Sequence, residues 1–198
     1  MKMRIFLVFA WIFLSIGTGM AQDSSSERSS AAAQPINLEG VRNLYKISDD
    51  LYRSGQPTAE GLRNLEAMGI KTILNLRCFH WDRYFKFDEA TCKYEHMYFK
   101  AWQPEVQDVV QFLKIVTDPR HAPVLVHCHR GSERAGTMVA VYRIVVQGWT
   151  KEEAIREMTE GGFGFNDYWS NLPRWVQELD VNSIKEKAGI ISLTHKAD

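Results

Sequence analysis

The chain has 198 residues, with 24 Lys plus Arg against 24 Asp plus Glu, 45% hydrophobic and 24% charged. This fits one globular domain with or without tails and excludes a disordered, collagen-like or multi-span membrane chain. The even charge argues against a general nucleic-acid binder, which is usually basic, and three Cys are too few for a disulfide scaffold.

Lys2 and Arg4 precede a nearly wholly apolar run, Ile5 to Ile16, and small residues follow it, with Gly19 and Ala21 placed as a −3/−1 pair. This three-part layout predicts a secretory signal over 1–21, cleaved after Ala21. The alternative is an uncleaved anchor, but the run is short against the about 20 apolar residues of a membrane span. A Ser/Ala-rich flexible leader is expected over 22–34. Export to the periplasm or outside the cell would place the cysteines in an oxidising compartment, with no stable membrane span left after cleavage.

The folded part is expected over 35–182, with a tail over 183–198. Val41 to Ile47 and Asp50 to Arg53 read as short strands, with a turn at Ser54-Gly55-Gln56-Pro57. Thr58 is placed to cap a helix through Met68, and Gly69 to end it. Lys71 to Leu76 reads as a buried strand and Lys93 to Phe99 as a further strand. The aromatic, charged stretch from Cys78 to Thr91 has no clear period. Pro104 suits the first turn of a helix whose apolar face runs from Val106 to Val116. Pro123 to Val126 is a short apolar strand, and Met138 to Val146 a core helix. Thr150 caps a helix through Glu160, and Asp167 to Leu179 is a last helix interrupted or restarted at Pro173. No repeat is present. Alternating strands and helices predict an α/β fold, a central mostly parallel sheet flanked by helices.

The chemistry concentrates in Val124 to Arg143. A buried strand there runs into a loop, Cys128-His129-Arg130-Gly131-Ser132-Glu133-Arg134, and the loop into a helix. A loop that turns into a helix N-terminus points several backbone N–H groups into one concavity, which suits an anion. Gly131 supplies backbone freedom, and Arg134 a guanidinium fork for phosphate. Cys128 sits at the strand end in that positive field, where a cysteine is held as thiolate. A thiolate facing a bound phosphate is a nucleophile facing its electrophile, and the same donors stabilise the transferring phosphoryl group.

His127-Cys128, Gly131 and Arg134-x-Gly136 resemble the signature of the cysteine-dependent protein tyrosine phosphatases, and most of all their dual-specificity branch. "LYRSGQPT" at 51–58 and "GIKTILNLR" at 69–77 resemble the entry of bacterial and fungal members, so the likeness spans about Leu44 to Leu179. It implies a phosphocysteine intermediate at Cys128 and phosphate held by the loop amides and Arg134. It also implies that His127 orders the loop, and some fungal relatives act on inositol pyrophosphates. The expected substrate is accordingly a phosphotyrosine, phosphoserine or phosphothreonine protein, or an inositol phosphate.

Two positions depart from the family pattern. Ala135 stands where Ser or Thr usually follows the loop Arg, which should slow hydrolysis of the phosphocysteine more than its formation. The usual acid-loop Asp before a Pro is missing from Phe99-Lys100-Ala101-Trp102-Gln103-Pro104. The leaving group still needs a proton. Glu133 is the first candidate donor, Asp108 the second and Glu105 the third. These departures leave a phosphate-binding pseudophosphatase as the alternative; a rhodanese-like sulfur transferase fits the loop less well.

His129 and Arg130 read either as solvated loop residues or as a second layer of positive charge for substrates with several phosphates. The substrate-binding set is therefore His127, His129, Arg130, Gly131 and Ser132. Tyr52, Arg53, Ser54 and Gln56 either line the mouth or form a plain turn, and Trp102 is pocket wall or core. Gly161 to Phe165 reads as a structural connector, and Cys78 and Cys92 as structural residues or a disulfide pair. No zinc-ligand spacing, dinucleotide-binding or Walker sequence is present, so neither a metal nor a cofactor is expected.

Overall fold

The computed structural model describes residues 32–79 and 92–190. The expected signal and most of the leader lie outside the described residues, as do most of the stretch without clear period and the tail beyond 190. Among the described residues, six short strands form one sheet: β1 Gln34–Pro35, β2 Tyr45–Lys46, β3 Leu51–Ser54, β4 Thr72–Asn75, β5 Lys93–His96 and β6 Val124–His127. Their order is β1-β2-β3-β6-β4-β5. The four strands β3, β6, β4 and β5 run parallel, while β1 and β2 join antiparallel at one edge. The mostly parallel sheet is thus as the sequence predicts. Val124 to His127 is buried on both faces, as a central parallel strand must be. It carries Cys128 to the middle of the sheet's C-terminal edge, where α/β sheets place their sites.

Helix α1 (Ala59–Ala67) covers one face, packing Leu62 and Leu65 against Ile73 and Leu125. The Thr58 side chain accepts from Gly61 N, a cap worth about 1 kcal/mol. The other face carries α2 (Val106–Val116), α3 (Glu133–Val145), α4 (Lys151–Glu160), α5 (Asn171–Glu178) and α6 (Val181–Ala188). Of α3, only Arg134 escapes full burial, so its N-terminus is fixed from all sides. The expected alternation of helices and strands holds.

Several boundaries differ. Pro104 precedes α2 rather than starting it: Glu105 is the cap, and its N–H donates to Asp108 Oδ2 at 3.3 Å. Only Tyr45–Lys46 of the expected strand 41–47 pairs in the sheet, because Asn43 has a left-handed φ of 56° that breaks extended backbone. The last residues of the expected leader belong to the fold: Ala33 N donates to Glu157 Oε1 at 3.2 Å, and Gln34 lies in β1. The expected tail from 183 begins inside α6, whose Ile184 and Ala188 are buried in the core. The break before α5 falls at Ser170, after a 3-10 turn at Asp167–Trp169, and Pro173 lies within the first turn.

Candidate active site

Cys128 is 1% exposed, and its sulfur accepts a hydrogen bond from Gly131 N at 3.2 Å. The loop therefore curls around the sulfur and ends in α3, so the helix N-terminus faces the same centre. A curl this tight needs Gly131, whose φ is 81°.

What holds the curl lies behind it. Each carbonyl from 129 to 132 has a donor outside the loop. His129 O accepts from Arg42 Nη2 at 2.6 Å and from Gln56 N at 3.0 Å. Arg130 O accepts from Asn43 Nδ2 at 3.0 Å. Gly131 O and Ser132 O accept from Arg53 Nη2 at 2.5 and 3.1 Å. In a trans peptide C=O and N–H point oppositely. Pulling these carbonyls outward therefore turns the amides of Arg130 to Glu133 inward. The donors come from 42–56, which β3 brings beside β6, with Ser54 opposite His127.

Arg53 is fully buried, with its Cζ 3.9 Å from the Phe163 ring centre. Burial pushes its guanidinium down to about 10, opposed first by Cys128 and then by Glu157 and Tyr45, and assisted by Arg143. It remains a cation at neutral pH. The Phe163 carbonyl accepts from Ser132 Oγ at 2.7 Å and from Asn43 Nδ2 at 3.0 Å. The 161–165 segment, expected only to connect, thus also buttresses the loop.

Two adjoining cavities open above, of about 310 and 240 Å³, sharing Arg77, Ala101, Arg134 and Trp169. The larger is aromatic, with Phe79, Trp102 and Cys78 in its wall, and Trp102 is 58% exposed. Trp102 is therefore wall rather than core. The smaller holds His129, Arg130 and Glu133. Burial holds His129 below the usual imidazole range, reinforced by Arg77, Arg42, Arg134 and Arg130.

The expected site residues meet here, with qualifications set by burial. Arg134 lines both cavities. Glu133 faces the smaller one with its side chain 8% exposed and paired with Arg130. Asp108 lines neither cavity. Burial raises its carboxyl, a shift opposed by the Glu105 N–H, aided by the Glu105 charge and opposed by Lys100. Its charge reaches the mouth at Cys78, whose thiol is pushed up chiefly by burial. Burial narrows two of the expected substrate-binding roles. His127 is fully buried at the strand end, with Nδ1 3.4 Å from Cys128 O, so it can order the loop but not touch substrate. Ser132 spends its hydroxyl on Phe163, which leaves only its amide for a ligand. Cys78 and Cys92 are free thiols, one at the mouth and the other in the core beneath α1. Among the described residues, no cluster of His, Cys, Asp or Glu is placed to hold a metal ion.

Sequence reasoning left Arg53 and Gln56 open and passed over Arg42, Asn43 and Arg77. The signal available was "LYRSGQP", a cation and small residues directly after a strand, but its use depends on β3 lying beside β6.

Residues 42–168 match a family described as DSP-PTPase phosphatase fused to NAD+ kinase. The chain belongs to the dual-specificity branch of the cysteine-dependent protein tyrosine phosphatases. It is similar to the dual specificity protein phosphatase TpbA of Pseudomonas aeruginosa, 33% identical over 87% of this chain and 78% of that one. It is also similar to the inositol diphosphatase DSP3 of Arabidopsis thaliana, 30% identical over 76% of this chain and 72% of that one. A crystal structure of P. aeruginosa TpbA, a cysteine-to-serine variant in complex with pTyr, superposes with a TM-score of 0.71 at 32% identity. It covers 82% of this chain and 98% of that one. This dual-specificity-type phosphatase is an enzyme of the cysteine-dependent class.

Proposed function

We propose that this phosphatase hydrolyses phosphotyrosine in proteins through a cysteinyl-phosphate. The observation that carries the reading is the juxtaposition of the enclosed Cys128 sulfur, the inward amides and Arg134 with an aromatic cavity walled by Phe79, Trp102 and Trp169. In the first step the Cys128 thiolate attacks phosphorus, the P–O bond to tyrosine breaks, and the leaving oxygen takes a proton from Glu133. Among the described residues that line the mouth, Glu133 is the one carboxylate. In the second step water attacks phosphorus, the S–P bond breaks, and Glu133 takes the proton from that water. The loop amides and Arg134 hold the equatorial oxygens throughout.

Inositol phosphates are the second reading, favoured by the guanidiniums of Arg42, Arg77, Arg130 and Arg134, all of which act on His129. The substrate would then carry an anion beside the scissile phosphate. Export belongs to the same proposal and rests on the N-terminal sequence pattern. Among the described residues, no helix is long and apolar enough to cross a membrane.

The test is turnover of a phosphotyrosyl peptide, a phosphoseryl peptide and an inositol diphosphate by the full chain and by Cys128→Ser, with acid-quench trapping of the phosphoenzyme. Phosphotyrosine turnover, a trapped phosphoenzyme and no turnover in the variant are expected. Activity that survives in Cys128→Ser overturns the mechanism, and a preference for the inositol diphosphate selects the second reading. Mass spectrometry of the protein recovered from the native host should give a chain starting at Gln22.

A further inference from the structure

Arg53 is a buried cation that needs a reason. Its charge is fully enclosed, and its Nε and Nη1 find no hydrogen-bond partner among the described residues. Among the described residues it forms no ion pair, and burying a charge without one is costly. The charged and titratable groups acting on it are Cys128 at the end of β6, Glu157 of α4, Tyr45 of β2 and Arg143 of α3. Glu157 is already held by Arg143, through Nε at 2.9 Å and Nη2 at 2.7 Å. The anion left to offset Arg53 is the Cys128 thiolate, and to that extent the inference rests on the proposed reading of the site.

Space is made for the guanidinium. A Cβ on Gly136 would lie 3.3 Å from Arg53 Nη2, and the Phe163 ring closes the other side. This arrangement delivers one Nη2 to two successive carbonyls of the loop. A cation on a carbonyl polarises the whole peptide and makes the N–H at its far end a stronger donor. The two peptides concerned, 131–132 and 132–133, carry the Ser132 and Glu133 amides.

We infer that Arg53 is a positioning residue that acts through the backbone: held behind the loop, it aims and polarises the Ser132 and Glu133 amides toward the phosphoryl oxygens. It never touches substrate. Arg134 grips the phosphate from the front, and Arg53 strengthens the cradle from the back.

The experiment compares wild type with Arg53→Met and Arg53→Lys, using orthovanadate as the probe. Vanadate affinity and kcat are expressed per Cys128 titrated with iodoacetate, so loss of folded protein does not count. Arg53→Met should weaken vanadate about tenfold and lower kcat more than it raises KM, a milder loss than removing an oxyanion donor outright. Arg53→Lys keeps the charge and should restore part of the affinity. In amide NMR spectra, Ser132 and Glu133 should move upfield in Arg53→Met more than the remaining loop. A purely structural role predicts a lower Tm with unchanged vanadate affinity per titrated thiol. That result, within about twofold of wild type, overturns the inference; if Arg53→Met does not fold, Arg53→Gln, which also removes the charge, decides by the same criterion. Vanadate binding by wild type and the dead Cys128→Ser variant test the site reading separately, so its failure is distinguishable from that of Arg53.

Discussion

Gly131 packs against the backbone of Ser54. A Cβ on Gly131 would lie 2.6 Å from the Ser54 carbonyl carbon and 2.7 Å from its oxygen. Ser54 is fixed in β3 opposite His127, so the neighbour cannot give way. Gly131→Ala must also hold Ala at a φ of 81°. Strain and overlap together should cost about 3 kcal/mol, seen as a lowered Tm. The loop would have to lift from β3, which removes the Gly131 N–H from the Cys128 sulfur. Turnover should therefore fall at least about a hundredfold, on the scale of a lost oxyanion donor. Thermal melts and kcat on an aryl phosphate check both.

The front of this site is contiguous in sequence. One strand, one loop and one helix carry Cys128, Gly131, Glu133 and Arg134, and local rules suffice to read them. The back is not. Arg42, Asn43, Arg53 and Gln56 serve the loop only because β3 lies beside β6, and no periodicity reveals strand order. The same tertiary demand explains the broken strand at 41–47: Asn43 leaves extended geometry, and its amide holds two carbonyls. The helix α6 was hidden for a simpler reason. Its eight residues show only a brief apolar stripe, Ile184 to Ala188, that becomes legible against α2 and α3.

The proton donor separates by pH. If Glu133 gives the leaving-group proton, its acid form is the active one in the first step, and kcat/KM falls as rising pH removes that proton. Glu133→Gln should flatten that basic limb and lower kcat/KM by about a hundredfold for phosphoserine, less for a good phenolic leaving group. Asp108→Asn should keep the limb. Asp108 also gives a stability prediction. Its folded pKa is raised, mainly by burial. The stabilising contribution is present below its unfolded pKa and lost as pH rises through the folded one. Asp108→Asn should thus be relatively more stable at neutral than at acid pH. Kinetic profiles and melts from pH 4 to 8 distinguish these effects; a limb that vanishes only in Asp108→Asn reassigns the acid.

Trp102 reports on the leaving group. It stands 58% exposed on the wall of the aromatic cavity, which Phe79 and Trp169 also line. Little in the core depends on it, so Trp102→Ala should leave the Tm within about 2 °C. Loss of an aromatic contact should raise KM for a phosphotyrosyl peptide about tenfold. A phosphoseryl peptide or an inositol diphosphate, with no aromatic ring to stack, should lose much less. Equal losses on all three substrates would show that the cavity does not select aryl esters.

On the proposed mechanism, Ala135 should determine which chemical step is slow. Its side chain is fully buried in the cluster that contains Cys128, and it brings no hydroxyl to the departing thiolate. The neighbouring hydroxyls are committed: Ser132 Oγ to Phe163 O and Thr137 Oγ1 to Glu133 O at 2.8 Å. Formation of the phosphoenzyme needs no such donor, whereas its hydrolysis releases a thiolate that a hydroxyl would stabilise. A rapid burst of phenol stoichiometric with enzyme is therefore expected, followed by slower steady turnover. Ala135→Ser adds one oxygen at a site flanked by the helix start, and should raise steady-state kcat about tenfold while the burst amplitude shrinks. Its effect on kcat/KM, which reports the first step, should be small. Stopped-flow measurement of burst and steady phases in the two proteins decides: a wild type without a burst, or a serine variant whose kcat/KM rises as much as kcat, would place the slow step before the phosphocysteine.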